Sequence, residues 1–73
     1  MIDLVETILT FDESEAIRLI DIEEKSQEET AKSMKISQPT LSRLLKSARK
    51  KLADAVINGK AIKIEGGNYK LMS

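Results

Sequence analysis

The side chains that small proteins most often use for cross-links, metal sites and catalysis are missing from this 73-residue chain. It contains no cysteine, no histidine and no tryptophan, and only one phenylalanine and one tyrosine. Without cysteine or histidine, the chain lacks disulfides, thiolate or imidazole ligands for a metal, and two groups that often act as catalytic nucleophile or base. We therefore expect no enzyme activity, no metal site, no cofactor and a core of aliphatic side chains.

The length of the chain limits its architecture. A fold of this size buries only about 60% of the surface that its unfolded chain exposes, so we expect a single domain over residues 1–73. An aliphatic core this small seldom supplies more than about 3 to 5 kcal/mol of stability, and small chains often gain more by self-association. Because disulfides and metals are excluded, we expect a homodimer.

The location of the protein is predicted from what its sequence does not contain. The first residues have neither the basic flank nor the apolar run of a signal peptide. No stretch approaches the roughly 20 apolar residues that span a membrane. We therefore expect a cytoplasmic protein with no membrane partner.

Charge is distributed unevenly along the chain, although the formal net charge is zero. Residues 1–30 contain ten acidic and two basic side chains, and residues 31–73 contain ten basic and two acidic side chains. Screening limits electrostatic action to about 8 to 10 Å in physiological salt, so a basic surface can attract phosphate whatever the total charge. The alternative is that the two halves of the chain pair with each other.

Capping patterns predict the first two helices. Thr10 and Glu13 have the spacing of a capping box, in which each side chain bonds the backbone N–H of the other, and apolar residues recur beyond them. A first helix is therefore predicted at about residues 11–24. Ser26 and Glu29 form a second capping box, which predicts a short second helix.

The third helix has the clearest periodicity in the sequence. Ser37 is its candidate N-cap, Pro39 is compatible with a first helical turn, and Asn58-Gly59 is typical of a left-handed C-cap. Apolar residues recur every three or four positions and predict the buried side of this helix: Leu41, Leu44, Leu45, Ala48, Leu52, Ala55 and Val56.

Strands are predicted at both ends of the chain. Residues 2–9 are rich in β-branched and aliphatic types, and residues 61–65 alternate between apolar and charged types. Residues 66–68 are typical of a turn, and a short returning strand is predicted at residues 69–71. We expect the two ends to pair in one small sheet.

Residues 26–51 have the spacing of a helix-turn-helix, in which two short-linked helices cross closely. A small residue in the first helix and apolar residues around the turn occupy the places that the motif requires: Ala31, Met34, Ile36, Leu41 and Leu44. Lys35 stands at the turn position with positive φ, where glycine is usual and where another residue costs about 1 kcal/mol. The predicted fold is mainly α, a three-helix helix-turn-helix domain with a small β-sheet formed by the N-terminal strand and the C-terminal hairpin.

The polar side of the third helix is typical of a surface that enters the major groove of double-stranded DNA. Glutamine can bond adenine and arginine can bond guanine through two atoms, whereas lysine is suited to phosphate. Gln38, Ser42 and Arg43 are the predicted base contacts. The predicted phosphate contacts are Ser37, Thr40, Lys46, Arg49 and Lys50. The sequence therefore predicts sequence-specific DNA binding and transcription regulation, and the alternative is an ordinary amphipathic helix with a solvated basic side.

The third helix contains two other patterns. Ser47 and Lys50 fit the Ser-x-x-Lys pattern of some acyl-transfer enzymes, but no companion motif accompanies them. A heptad pattern is also present, at Leu41, Leu45, Ala48, Leu52 and Ala55. That pattern favours a dimer seam or a protein-protein interaction module that docks on transcription machinery, with RNA polymerase as a candidate partner.

Five stretches of the sequence match a known pattern: 12–19, 26–29, 34–37, 48–49 and 58–69. Through them the chain resembles a family of small predicted DNA-binding proteins of bacteria and archaea, whose helix-turn-helix is similar to region four of sigma factors. The resemblance spans nearly all of residues 9–69 and implies DNA binding through the second and third helices. Members usually have Met-Gly-Val-Ser at the turn, so Lys35 departs from the family pattern.

Overall fold

A computed structural model describes residues 5–66 of the chain. Its elements in chain order are strand β1 (Glu6–Leu9), helix α1 (Phe11–Ile17), helix α2 (Gln27–Met34), helix α3 (Gln38–Asn58) and strand β2 (Ala61–Ile64). The fold is mainly helical with one small two-stranded sheet, as the sequence predicts. Within the described range, the helices are all too short or too polar to cross a membrane.

The sheet joins the two ends of the described chain. β1 and β2 run parallel, with Glu6 opposite Ala61 and Leu9 opposite Ile64. At the far end of the ladder, the N–H of Glu65 donates to the carbonyl oxygen of Leu9 at 3.1 Å. The predicted pairing of the two ends is therefore confirmed. The first residues of the predicted N-terminal strand, 2–4, and the predicted returning strand, 69–71, lie outside the described residues.

The first helical segment ends at Ile22, two residues earlier than predicted, and only its first part, Phe11–Ile17, is α-helical. After α1 the chain continues as a wider π-helical turn, Arg18–Ile22, in which the N–H of Glu23 donates to the carbonyl oxygen of Arg18 at 2.9 Å. Glu24 then adopts a left-handed backbone conformation with φ of 57°. The wide turn keeps Leu19 buried, and the left-handed residue redirects the chain toward α2.

The predicted helix caps are confirmed. The hydroxyls of Thr10, Ser26 and Ser37 each accept a hydrogen bond from the backbone N–H three residues later. Gly59 ends α3 in the left-handed conformation, with φ of 64°. Lys35 takes the same conformation at the turn between α2 and α3, with φ of 59° and ψ of 44°. A lysine at this position costs about 1 kcal/mol relative to glycine.

The core lies where α1, α2 and α3 meet. Its buried centre consists of Ala16, Ala31, Leu41 and Leu45, and the partly buried side chains of Ile17, Ile20, Met34, Ile36 and Leu44 pack around it. Ala31 is the small residue that lets α2 approach α3 closely. The inward placement predicted for the apolar residues of α2, the turn and the start of α3 is therefore observed.

Two expectations about α3 are corrected by this packing. Four of the five heptad residues, Leu41, Leu45, Ala48 and Ala55, are at most 3% exposed within a single chain, and Leu52 is half-buried. Most of this row is therefore covered by the protein's own fold rather than left as a dimer seam. Val56 was expected on the buried side but is 76% exposed. It follows Ala55 by about 100° of helical rotation, which turns it away from the core.

Candidate nucleic-acid interface on α3

Three basic side chains are exposed on the outer side of α3. Arg43, Lys46 and Lys50 follow a spacing of three and four residues, which places them on one side of the helix. All three are exposed, and within residues 5–66 none of them makes a side-chain hydrogen bond or an ion pair. We call these three residues the cationic ridge. Their charge is not neutralised by the acidic first half of the chain.

The polar residues at the start of α3 lie beside the cationic ridge. Gln38 and Ser42 are exposed on the side of the helix that adjoins Arg43. The hydroxyl of Ser37 accepts from the N–H of Thr40 at 3.2 Å and donates to the hydroxyl of Thr40 at 2.9 Å. These two predicted phosphate contacts thus also form the N-cap of α3. No acidic residue lies in the first turn of α3, so the positive end of the helix dipole is left uncompensated there.

Arg49 differs from the ridge cations because it is already paired. Its guanidinium donates to both carboxylate oxygens of Asp21 in the π-helical turn, from Nη2 to Oδ1 at 2.7 Å and from Nε to Oδ2 at 3.3 Å. The Asp21 carboxylate raises the pKa of Arg49. The alternative that the two halves of the chain pair with each other is therefore realised at this position, although no pattern in the sequence identified Asp21 and Arg49 as the partners.

A buried carboxylate ties α1 to the inner side of α3. Glu13 is only 4% exposed and accepts hydrogen bonds from the Lys51 ammonium at 2.8 Å, from the backbone N–H of Thr10 at 2.9 Å and from the hydroxyl of Ser47. Burial by itself raises the pKa of Glu13, but the bonds from Lys51, Ser47 and Thr10 together lower it below its ordinary value. Sequence reasoning assigned Glu13 to its capping box and missed this contact, because the capping role accounts for a glutamate there.

Lowering the pH is expected to remove the stability that Glu13 contributes. Because its pKa is lowered on folding, the contribution is complete above the ordinary value of 4.5 and is lost as the pH falls through the folded value. We expect Glu13→Gln to reduce the free energy of unfolding by about 1 to 2 kcal/mol at pH 6, and by less at pH 3. Urea unfolding followed by circular dichroism at the two pH values measures both differences.

Glu24→Gln is the matched control for this measurement. Glu24 is exposed and makes no side-chain hydrogen bond or ion pair within residues 5–66. We expect its substitution to change the free energy of unfolding by less than about 0.5 kcal/mol at either pH. If both substitutions had the same effect, or if the effect of Glu13→Gln were the same at pH 6 and pH 3, the role given to Glu13 would be wrong.

Comparison with known proteins assigns the chain to a family. The model of a family described as "Protein of unknown function DUF134" matches residues 2–72. The chain belongs to this family. Membership of one family, as the resemblance of the sequence indicates, is therefore confirmed. The family description states no activity. No solved structure matches the chain.

Several relatives of the chain carry the name UPF0251 protein. One from Caldanaerobacter subterraneus subsp. tengcongensis is 60% identical over 68 residues, which are 93% of this chain and 58% of that protein. One from Thermoanaerobacter pseudethanolicus is 59% identical over 68 residues, with the same coverage of 93% and 58%. One from Halothermothrix orenii is 52% identical over 69 residues, 94% of this chain and 51% of that protein. The chain thus spans little more than half the length of these curated DUF134 relatives.

Proposed function

We propose that this chain is a cytoplasmic helix-turn-helix protein that binds double-stranded DNA and regulates transcription. The observation that carries the proposal is the cationic ridge of Arg43, Lys46 and Lys50, exposed and without ion pairs within the described residues. An α-helix fits the major groove of B-form DNA, which is about 12 Å wide, and phosphates line both edges of that groove. An exposed helix whose outer side carries cations without ion pairs can enter that groove and contact the phosphates at its edges.

The arrangement of α2 and α3 supports the same proposal. α2 packs against α3 through Ala31, and the turn between them is tight because Lys35 is left-handed. The residues at the start of α3, Ser37, Gln38 and Pro39, are exposed, as required of a recognition helix whose first residues contact bases. We assign base contacts to Gln38, Ser42 and Arg43. We assign phosphate contacts to Ser37, Thr40, Lys46, Arg49 and Lys50.

Alanine substitutions separate the two roles within the cationic ridge. We expect Arg43→Ala to relax the preference at one base pair by about 1 to 3 kcal/mol, because it removes a contact to a base edge. We expect Lys46→Ala to weaken binding to every duplex alike, because a phosphate contact carries no sequence information. Selection from random duplex DNA supplies the preferred site, and fluorescence anisotropy with that site and its single-base variants measures both effects.

Lys63→Ala is the control for the loss of one positive charge. Lys63 is exposed, lies on β2 rather than on α3, and pairs with Glu65 at 3.3 Å. Its substitution should leave both affinity and base preference nearly unchanged. If Arg43→Ala and Lys46→Ala behaved identically on every duplex, the assignment of roles would be wrong. If the unaltered protein bound no duplex at about 50 mM salt, the protein would not be a DNA-binding protein of this kind.

We propose in addition that the protein acts as a homodimer. Two aliphatic side chains of the last turn of α3, Val56 and Ile57, are 76% and 79% exposed, which favours a contact with another protein surface. A second copy suits a DNA-binding helix because many DNA sites have two-fold symmetry. Light scattering at high micromolar concentration is expected to give twice the mass of one chain, and Ile57→Lys is expected to shift that mass toward one chain. A monomer at that concentration would overturn the homodimer. The alternative occupant of this end of α3 is RNA polymerase.

A further inference from the structure

The contact between Asp21 and Arg49 joins the acidic half of the chain to the proposed DNA-binding side of α3. Among the cations on the outer side of α3 in the described residues, Arg49 alone has an ion-pair partner. We propose that Asp21 competes with DNA phosphate for Arg49, so that the protein lowers its own affinity for DNA. This inference rests on the proposed function, since it concerns how DNA binding at that site is regulated.

The chemistry of the pair is that of a phosphate contact. Asp21 presents two oxygens to Nε and Nη2 of Arg49, and a phosphate presents two oxygens to a guanidinium in the same fork geometry. A phosphate that approached a different edge of the guanidinium would lie close to the Asp21 carboxylate and would be repelled by it. Arg49 therefore has to leave Asp21 to make an effective phosphate contact.

The exposure of the pair makes this exchange feasible. The side chains of Arg49 and Asp21 are 52% and 41% exposed, so solvent screens their attraction. An exposed ion pair of this kind changes an equilibrium at most about fivefold. The pair of Lys51 with Glu13 contrasts with it, because the Glu13 side chain is only 5% exposed and helps to hold α1 against α3. Asp21 thus acts as a weak, reversible competitor rather than as part of the core.

Removal of the Asp21 charge tests the competition directly. We expect Asp21→Asn to increase the affinity for a mixed-sequence duplex twofold to fivefold, because Arg49 becomes free to bind phosphate. We also expect the slope of log affinity against log salt to become steeper by up to about one unit. In the variant, Arg49 can displace counterions from the DNA without leaving the Asp21 carboxylate unpaired. Fluorescence anisotropy over a series of salt concentrations measures both, and thermal unfolding verifies that the variant is folded.

Two further variants distinguish competition from a general charge effect. Glu24→Gln removes a negative charge three residues after Asp21. The Glu24 side chain makes no ion pair in residues 5–66. This substitution should leave the affinity within twofold of that of the unaltered protein. In an Arg49→Ala background, Asp21→Asn should give no gain.

The outcomes separate this inference from the proposed function. An unaltered affinity for Asp21→Asn, an equal gain for Glu24→Gln, or a gain that persists without Arg49 would each overturn the competition while leaving DNA binding intact. If neither the unaltered protein nor Asp21→Asn bound duplex DNA at about 50 mM salt, the proposed function itself would be overturned, and the competition with it.

Discussion

Leu41→Ala is expected to leave much of the protein unfolded at room temperature. Leu41 has no exposed surface and lies at the centre of the core, where it packs with Ala16, Ala31 and Leu45. Truncation of a buried leucine costs about 2 to 5 kcal/mol, from the lost transfer free energy and the cavity that remains. A core of this size supplies only about 3 to 5 kcal/mol in total, so the loss is of the same order as the whole stability. Circular dichroism at increasing urea concentration measures the change.

Ile22→Ala is the matched control for this effect. Ile22 loses the same three side-chain carbon atoms on truncation as Leu41, but it is 72% exposed and lies outside the proposed dimer contact. We expect the free energy of unfolding of the isolated chain to change by less than about 0.5 kcal/mol. A Leu41→Ala protein with the urea midpoint of the unaltered protein would contradict the packing of α3 against α1 and α2.

The affinity for duplex DNA is expected to fall about fortyfold between about 50 and 200 mM salt. In the proposed complex, the cations of α3 that contact phosphate are Lys46, Arg49 and Lys50. Each neutralised phosphate releases condensed counterions, so the slope of log affinity against log salt should be about −2 to −3. Anisotropy titrations at four or five salt concentrations measure this slope.

The salt slope also separates DNA binding from the alternative function. A mainly apolar contact with another protein through Val56 and Ile57 responds little to salt, because it displaces few counterions. A slope near zero for duplex DNA, or a slope that Lys46→Ala leaves unaltered, would therefore count against the cationic ridge as the binding surface.

Local chemistry made much of the fold predictable. The three N-caps, the left-handed Gly59 and the positive φ of Lys35 each depend on one residue and its neighbours within a turn, so their sequence patterns are sufficient. The buried row of α3 follows from helical periodicity, because the inward positions repeat every three or four residues. The exposure of Arg43 and Lys46 follows from the same periodicity.

Contacts between distant parts of the chain were not predictable. Glu13 meets Lys51 and Asp21 meets Arg49 across 38 and 28 positions of sequence, and each depends on how α1 and its π-helical extension cross α3. The residues are ordinary for helix surfaces, so nothing in their pattern marks them as partners. The error at Val56 has a different cause, since the apolar run Ala55-Val56 does not show which of its two residues faces the core.

The parallel pairing of β1 with β2 has a consequence for the order of folding. Glu6 and Ala61 are opposite each other in the sheet but are separated by 55 positions in the chain, and the three helices form the connection between them. Loop closure over such a distance is slow and entropically costly until the intervening chain has become compact. We therefore expect the helices to assemble first and the two strands to pair last, as a clasp that closes only after β2 has joined the packed helices.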